Sequence, residues 1–305
     1  MAISHVSTLA QQDFTMSRLQ TLQARIATAN YQVTSGIKAQ RYSGIAQDAQ
    51  RLVSLEASYT QTERFVDNNK AVDRRLQTME TNVGSLLDIA TSFRATLVQA
   101  TSGGNASDMA LVETAQSLLA QVGSLLNVRD EGRYLFAGSR TDTAPVDFND
   151  PDFGIPPNTY PSAADTGYYQ GNDQTLTVHA DANLEIDYGL QADDPAFEKL
   201  IRALQLTATN PGFIPERLTE AARLVGQAVE ELPDVQARIG FSRGALEASN
   251  KKHDETLLYI EGTIQDVKYV DIPETLTRLQ SDSLALQASY SAIAQLRNIS
   301  LINFL

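Results

Sequence analysis

The chain has no cysteine and no tryptophan, and only three histidines in 305 residues. Without thiols it can form no disulfide, thiolate metal site or cysteine nucleophile. His5, His179 and His253 lie in separate segments without paired spacing, so neither metal binding nor general-base chemistry has an anchor. No glycine-rich phosphate loop follows a strand signal, and no nucleophile elbow is present. With nothing to arrange a nucleophile, a base and oxyanion donors, the sequence is read as a non-enzyme without a cofactor. Long apolar runs are missing too, none approaching the roughly 20 residues of a membrane span. His5, Gln11, Gln12 and Asp13 interrupt any apolar segment near the start, so no cleaved signal peptide is expected.

Aromatic residues make up only 7% of a chain that is 42% hydrophobic, a shortage of the large side chains that fill globular cores. Elongated helical packing suits such a composition better. Positive charge is also scarce. The net charge of -13 argues against nucleic acid and anionic membranes as partners, since neither polyanion offers counter-charge. Residues 141–200 carry twelve acidic side chains against the single Lys199, so most of the excess sits in the middle of the chain.

What the chain does have is heptad spacing at both ends. Leu19, Leu22, Ile26, Ala29 and Val33 recur at steps of 3 and 4, and Ile272, Leu276, Leu279, Leu286, Tyr290, Ile293 and Leu296 repeat the pattern near the C-terminus. Each is a narrow apolar stripe of the coiled-coil kind, which needs a partner to keep it from water. The two ends are therefore expected to meet each other or copies of themselves. These eleven positions, leaving aside Ile272 in the break before the last helix, are the candidate subunit interface.

Between the ends, Gly36, Ser43 and Gly44 predict a loop over 35–48, and a long helix follows from about Leu55 through Leu76, Met79, Val83, Leu86, Ala90, Phe93 and Leu97. The TSGGNAS turn at 101–107 leads to a third helix marked by Leu111, Ala115, Leu118, Val122 and Leu125, expected to return antiparallel. From Gly138 the pattern changes: Pro145, Pro151, Pro156, Pro157 and Pro161 exclude regular helix, and QTLTVHADANLEIDY at 174–188 alternates as a β hairpin. A short helix over about 194–207 closes this segment. From Leu218 a 4,3 ladder then runs to Val267 without a phase slip, interrupted by the polar Gln236, Arg243, Asn250 and His253, with Pro233 expected to kink or restart the helix. Fifty helical residues would span about 75 Å. The four polar positions either specify register or face solvent. The Asp-rich DFNDPD at 147–152 lacks the ligand order of a calcium loop and reads as solvated.

Several segments carry a family resemblance: LQARIATANYQVTSGIKAQRYSG, then RLVSLEASY, GRYLFAGSRTDTAP at 132–145, YYQGNDQTLTV at 168–178, and the ending LQASYSAIAQLRNISLINFL. Together they resemble the bacterial flagellin superfamily over essentially the whole chain, and within it the hook-associated branch. The most discriminating pieces are Tyr134 to Gly138, the Tyr169-Gln170-Gly171 turn, and the ending at Ser300, Leu301, Phe304 and Leu305. Tyr42, Ser43, Gly44, Ile45 and Ala46 depart from the family's usual Ser-Asp-Asp-Pro loop.

The resemblance implies a mainly α, elongated flagellin-like helical bundle with coiled-coil terminal helices and a small β-containing insert. It implies terminal helices at 1–42 and 271–305 forming an inner tube domain, a helical domain at 43–140 and 208–270, and an outer acidic insert at 141–207. As function it implies a structural junction between hook and filament, on an extracellular flagellum reached through the flagellar export channel without signal cleavage. The implied partners are copies of itself in a ring, the other junction protein FlgK, flagellin, and an export chaperone of the FlgN kind. Its terminal helices would order on assembly, consistent with the marginal stability of an isolated heptad helix. A filament-forming flagellin and a secreted helical adhesin remain as alternative readings.

Overall fold

The structure, a computed structural model, describes residues 2–46, 48–101, 108–154, 159–209 and 214–302, with side chains undescribed at 2–12, 108 and 296–302. Six α-helices account for most of it: α1 (Ala2–Ser35), α2 (Ala49–Thr101), α3 (Asp108–Leu126), α4 (Pro195–Ala208), α5 (Pro215–Lys268) and α6 (Ile272–Ile302). Two small antiparallel β hairpins complete it, β1 (Arg129–Asp130) with β2 (Arg133–Tyr134), and β3 (Thr177–Asp181) with β4 (Leu184–Asp187). The fold is mainly α with a small β component, as the sequence indicates.

The chain divides into two units, Met1–Gln61 with Thr256–Leu305, and Thr62–Glu255. In the second unit α2 buries Leu76, Met79, Val83, Leu86, Ala90, Phe93 and Leu97 in unbroken 3,4 alternation. α5 buries Val225, Leu232, Ile239 and Leu246 at strict intervals of seven. This is the periodicity that keeps one face of a helix on one seam. α3 adds Leu111, Ala115, Val122 and Leu126, and packs against α4, whose Phe197, Leu200, Ile201 and Leu204 are fully buried. Leu135, Phe136, Tyr168, Val178 and Ile186 from the segment between α3 and α4 join the same core. The residues expected as an acidic outer insert thus share a core with the helices, and one of their acidic side chains, Glu198, is buried in it.

Local chemistry explains the element ends. Asp194 caps α4 by accepting from the Ala196 amide, and Pro195 occupies the first helical turn, where its missing N–H costs nothing. Asp271 accepts from the Glu274 amide at 3.1 Å and starts α6 in the same way. The restart expected at Pro233 does not occur, because α5 is one helix from Pro215 to Lys268. Pro233 lies on the exposed face between buried Leu232 and Val235, so the packing on either side carries the helix across one missing hydrogen bond. α2 also begins earlier than its apolar pattern indicates, at Ala49, after a 3-10 turn at Tyr42–Ile45. The TSGGNAS turn beyond Thr101, Pro156 and Pro157, and residues 210–213 lie outside the described residues.

Candidate functional site

In the first unit the two terminal helices lie against each other. Their bases are stapled by backbone bonds: the Lys38 amide donates to the Lys268 carbonyl at 2.8 Å, and the Val270 amide donates to the Gly36 carbonyl at 3.0 Å. Gly36 makes the turn possible, since its φ of 74° lies where side chains are disfavoured. Farther along, Arg25 Nη2 meets Asp282 Oδ1 at 2.9 Å, and Gln23 Nε2 donates to the Tyr290 hydroxyl at 2.8 Å. Partners on α6 advance as those on α1 recede, so the pair is antiparallel.

The α1 stripe is placed as its spacing indicates: Leu19 and Ala29 are buried, and Leu22, Ile26 and Val33 half-buried. On α6 the stripe splits. Leu279, Leu286 and Ile293 are half-buried, whereas Leu276 is 41% exposed and Tyr290 48% exposed. The side chain of Leu296 lies outside the described residues. The seam on α6 instead runs through Thr275, Leu279, Asp282, Leu286, Ser289 and Ile293, steps of 4 and 3 with polar residues at every other place. Thr275 and Asp282 are almost fully buried. Thr275 returns its hydroxyl to the Asp271 carbonyl at 2.7 Å, which satisfies it within its own helix. Asp282 Oδ2 has no hydrogen-bond partner among the described residues. Hydrophobic periodicity misses these two because it counts only apolar residues; the unbroken 4,3 phase across them is the signal that finds them.

One pairing covers only one stripe per helix. Ile272, Leu276, Leu284 and Tyr290 on α6, and Phe14 and Met16 on α1, remain exposed, Leu284 by 67% and Phe14 by 60%. The Arg18 guanidinium lies 5.1 Å over the Phe14 ring. These large apolar side chains stand in water on two adjacent helices, as Phe241, Leu258 and Tyr259 do on α5.

In the second unit the motifs that carry the family resemblance touch each other. Gly138 has a φ of 65°, and a Cβ there would lie 2.2 Å from the Asn172 carbonyl oxygen, so only glycine fits. Asn172, next to the Tyr169-Gln170-Gly171 turn, accepts from the Ser139 amide at 2.9 Å and sends its own amide to the Ala137 carbonyl at 3.3 Å. Phe136 meets Phe197 edge to face with ring centres 6.0 Å apart. These residues shape a fold and hold no reactive group. Nearby, Glu220 accepts from the amide and hydroxyl of Ser162, each at 2.9 Å, and pairs with Arg223. The Arg223 guanidinium holds its carboxyl down at about 2. Burial pushes Glu198 the other way, above the ordinary carboxylate range, although Arg202 and the Asp165 amide oppose this.

The polar interruptions of the α5 ladder face protein. Arg243 bonds Asp73 at 2.8 Å and Glu80 at 2.6 Å on α2. Asn250 accepts from Asn69 of α2 at 3.0 Å, and His253 stacks on Phe65 with centroids 5.5 Å apart. His179 is exposed, and the side chain of His5 lies outside the described residues. The aspartates of 147–152 are engaged in turns, Asp147 accepting from the Asn149 amide and Asp150 from the Asp152 amide and the Gln170 side chain. Among the described residues no group of three acidic, histidine or cysteine side chains could hold a metal ion, and no helix is long and apolar enough to cross a membrane.

Comparison with known proteins agrees with this architecture. Residues 6–141 match the bacterial flagellin N-terminal helical region, and residues 222–305 match the bacterial flagellin C-terminal helical region. No curated protein sequence matches the chain significantly. Among solved structures, FlgL of Bacillus cereus superposes with a TM-score of 0.55 at 17% identity, covering 70% of this chain and 99% of that one. Flagellar hook associated protein-3 of Legionella pneumophila gives 0.56 at 13% identity, covering 71% and 98%. A protein of Vibrio parahaemolyticus, provisionally named a flagellar hook-associated protein, gives 0.58 at 16% identity, covering 72% and 97%. At these identities the likeness is one of fold. The two helical-region matches lie on the same terminal helices and flanking α2, α3 and α5 that build the structure, and by them the chain belongs to the bacterial flagellin family.

Proposed function

We propose that the chain is a structural subunit of the bacterial flagellum that joins the hook to the flagellin filament. The observation that supports this reading most is the antiparallel pair of terminal helices, which meets along one seam while a second set of large apolar side chains, Phe14, Met16, Leu276, Leu284 and Tyr290, stays in water. At about 25 cal/mol per Å2 of apolar surface, covering such side chains is a strong drive to associate. A ring of copies supplies that cover repeatedly. The superposition on FlgL and on flagellar hook associated protein-3 favours the junction over the filament as the place of that ring.

In this reading residues 1–42 and 271–305 line the tube, 43–140 and 208–270 form the surrounding helical domain, and 141–207 face outward with their acidic side chains. The outer partners are FlgK on the hook side and flagellin on the filament side. A chaperone of the FlgN kind holds the C-terminal segment before export through the flagellar channel without signal cleavage. Of the eleven candidate interface residues, the exposed Leu276 and Tyr290, with Leu296, make the subunit contacts, and Leu19, Leu22, Ile26, Ala29, Val33, Leu279, Leu286 and Ile293 hold α1 against α6 within each chain.

Deleting the gene in its native host tests the reading. A junction subunit leaves cells with hooks but no filaments and with flagellin shed into the medium, restored by the full chain. Loss of filaments with retained junction rings, or long tubes formed by the purified chain alone, identifies a flagellin instead.

A further inference from the structure

The β3–β4 hairpin is too short to be ordered by its own pairing. Two strands of five and four residues are marginal at best in water, and this pair carries a bulge where the register shifts between His179 and Asp181. The bulge turns the Ala180 carbonyl out of the strand ladder and toward the helices. There it receives Asn69 Nδ2 of α2 at 3.0 Å, Ser249 Oγ of α5 at 3.0 Å and His253 Nε2 of α5 at 2.7 Å. Ala180, Asn69, Ser249 and His253 are all buried.

A carbonyl oxygen has two lone pairs, and here three donors from two different helices converge on it. The geometry fixes the tautomer of His253, whose proton on Nε2 is the one donated. Stacking on Phe65 of α2, with the rings 11° from parallel, holds the imidazole in that plane. The Asn69 amide is placed by its second bond to Asn250. None of these three contacts uses a side chain of the hairpin, so the grip is on its backbone. Lys252 adds an ion pair to Asp181 at 2.9 Å beside it.

We propose that this shared carbonyl is a coupling point that makes the order of the β3–β4 hairpin depend on the axial position of α2 against α5. Donors from both helices reach one oxygen only at one offset. One residue of sliding displaces a helix by about 1.5 Å, enough to take either Asn69 or the Ser249 and His253 pair beyond hydrogen-bond range. The hairpin then loses the bonds of its shared carbonyl to one helix, and on the α5 side keeps only Ser242 on the Asp187 carbonyl at 3.1 Å and the Lys252–Asp181 pair. The inference concerns the fold of this chain and does not depend on its place in the flagellum.

Amide hydrogen exchange on the full chain tests it, reading residues 176–188 against the α2 and α5 segments at 65–80 and 239–253. His253→Phe keeps the stack and removes the donor; it is expected to speed exchange of the hairpin amides by about tenfold, with the helix amides unchanged. Ser249→Ala reads the same carbonyl with a smaller change of volume, and His253→Gln, which keeps a donor, is expected to restore protection. The Asn69→Leu and His253→Phe changes combined are expected to add less than the two separately, because they share one acceptor. Unchanged hairpin exchange, equal loosening of hairpin and helices, or full additivity would each overturn the proposal.

Discussion

Arg25 of α1 and Asp282 of α6 meet at 2.9 Å inside a helix seam, at a place where the heptad pattern calls for a leucine. The aspartate is almost fully buried while the arginine stays half in water, so the pair is lopsided: one charge is desolvated and the other is not. Such a pair adds little stability, but its loss leaves a buried charge alone. It ties α1 to α6 at a single offset, a role that apolar residues repeating every heptad cannot fill.

Removing each partner should therefore give opposite results. Arg25→Ala strands the Asp282 carboxylate and is expected to weaken the helix pair by about 1 kcal/mol or more, whereas Asp282→Leu is expected to leave it as stable or make it more so. Exchange rates of the α1 amides from 19 to 33 report both. Equal destabilisation by the two changes would show that the ion pair is a net source of stability.

The split of the α6 stripe separates two kinds of interface residue. Leu279→Glu puts a charge on the half-buried seam against α1 and should lower the stability of the isolated chain by about 1 kcal/mol or more. Leu276→Glu, on the exposed face, should change the melting of the isolated chain by no more than about 0.5 kcal/mol and yet abolish assembly. Thermal unfolding and swimming assays on the two variants distinguish these outcomes. Normal motility with Leu276→Glu would remove that face from the interface.

Gly138 is expected to tolerate no side chain. Its positive φ and the 2.2 Å approach of the Asn172 carbonyl to a would-be Cβ combine, so Gly138→Ala should cost about 2 kcal/mol or more in denaturant unfolding. Gly132, whose φ is 80° and whose Cβ would meet nothing within 4 Å, should lose less from the same change.

Acid should find Glu220. Its carboxyl is held at about 2 against an ordinary 4.5, so the folded state binds the proton more weakly than the unfolded one. The resulting stability is fully present above about pH 4.5 and is lost as pH falls toward 2. Glu220→Gln should therefore be less stable than the natural chain at neutral pH, with the gap closing across that window. Denaturation midpoints measured across the window check it, and a gap independent of pH would contradict the assignment.

The helices were legible because burial follows spacing so closely: α2 and α5 keep the phase that their leucines, valines and isoleucines spell out. The hairpin at 174–188 was legible from alternation, with Val178 opposite Ile186 as the inward pair. Three features escaped. The β1–β2 hairpin is only two residues per strand, too short for any period, and its signal was the Glu131-Gly132 pair, both at positive φ. The α6 seam is hidden by Thr275, whose hydroxyl is satisfied one turn back in its own helix, and by Asp282, which pairs with Arg25 of α1, so both are buried without being apolar. The polar places of the α5 ladder read equally as register or solvent positions in the sequence, because their partners Asp73, Glu80 and Asn69 lie 163 to 181 residues away and leave no mark in a local pattern.

The place of the chain in the flagellum can be measured directly, because the sequence contains no cysteine. A single cysteine introduced at the exposed Leu184, labelled with gold on intact flagella and viewed by electron microscopy, should mark one narrow band where hook meets filament. Label spread along the length of the filament, or absent from flagella altogether, would contradict the account.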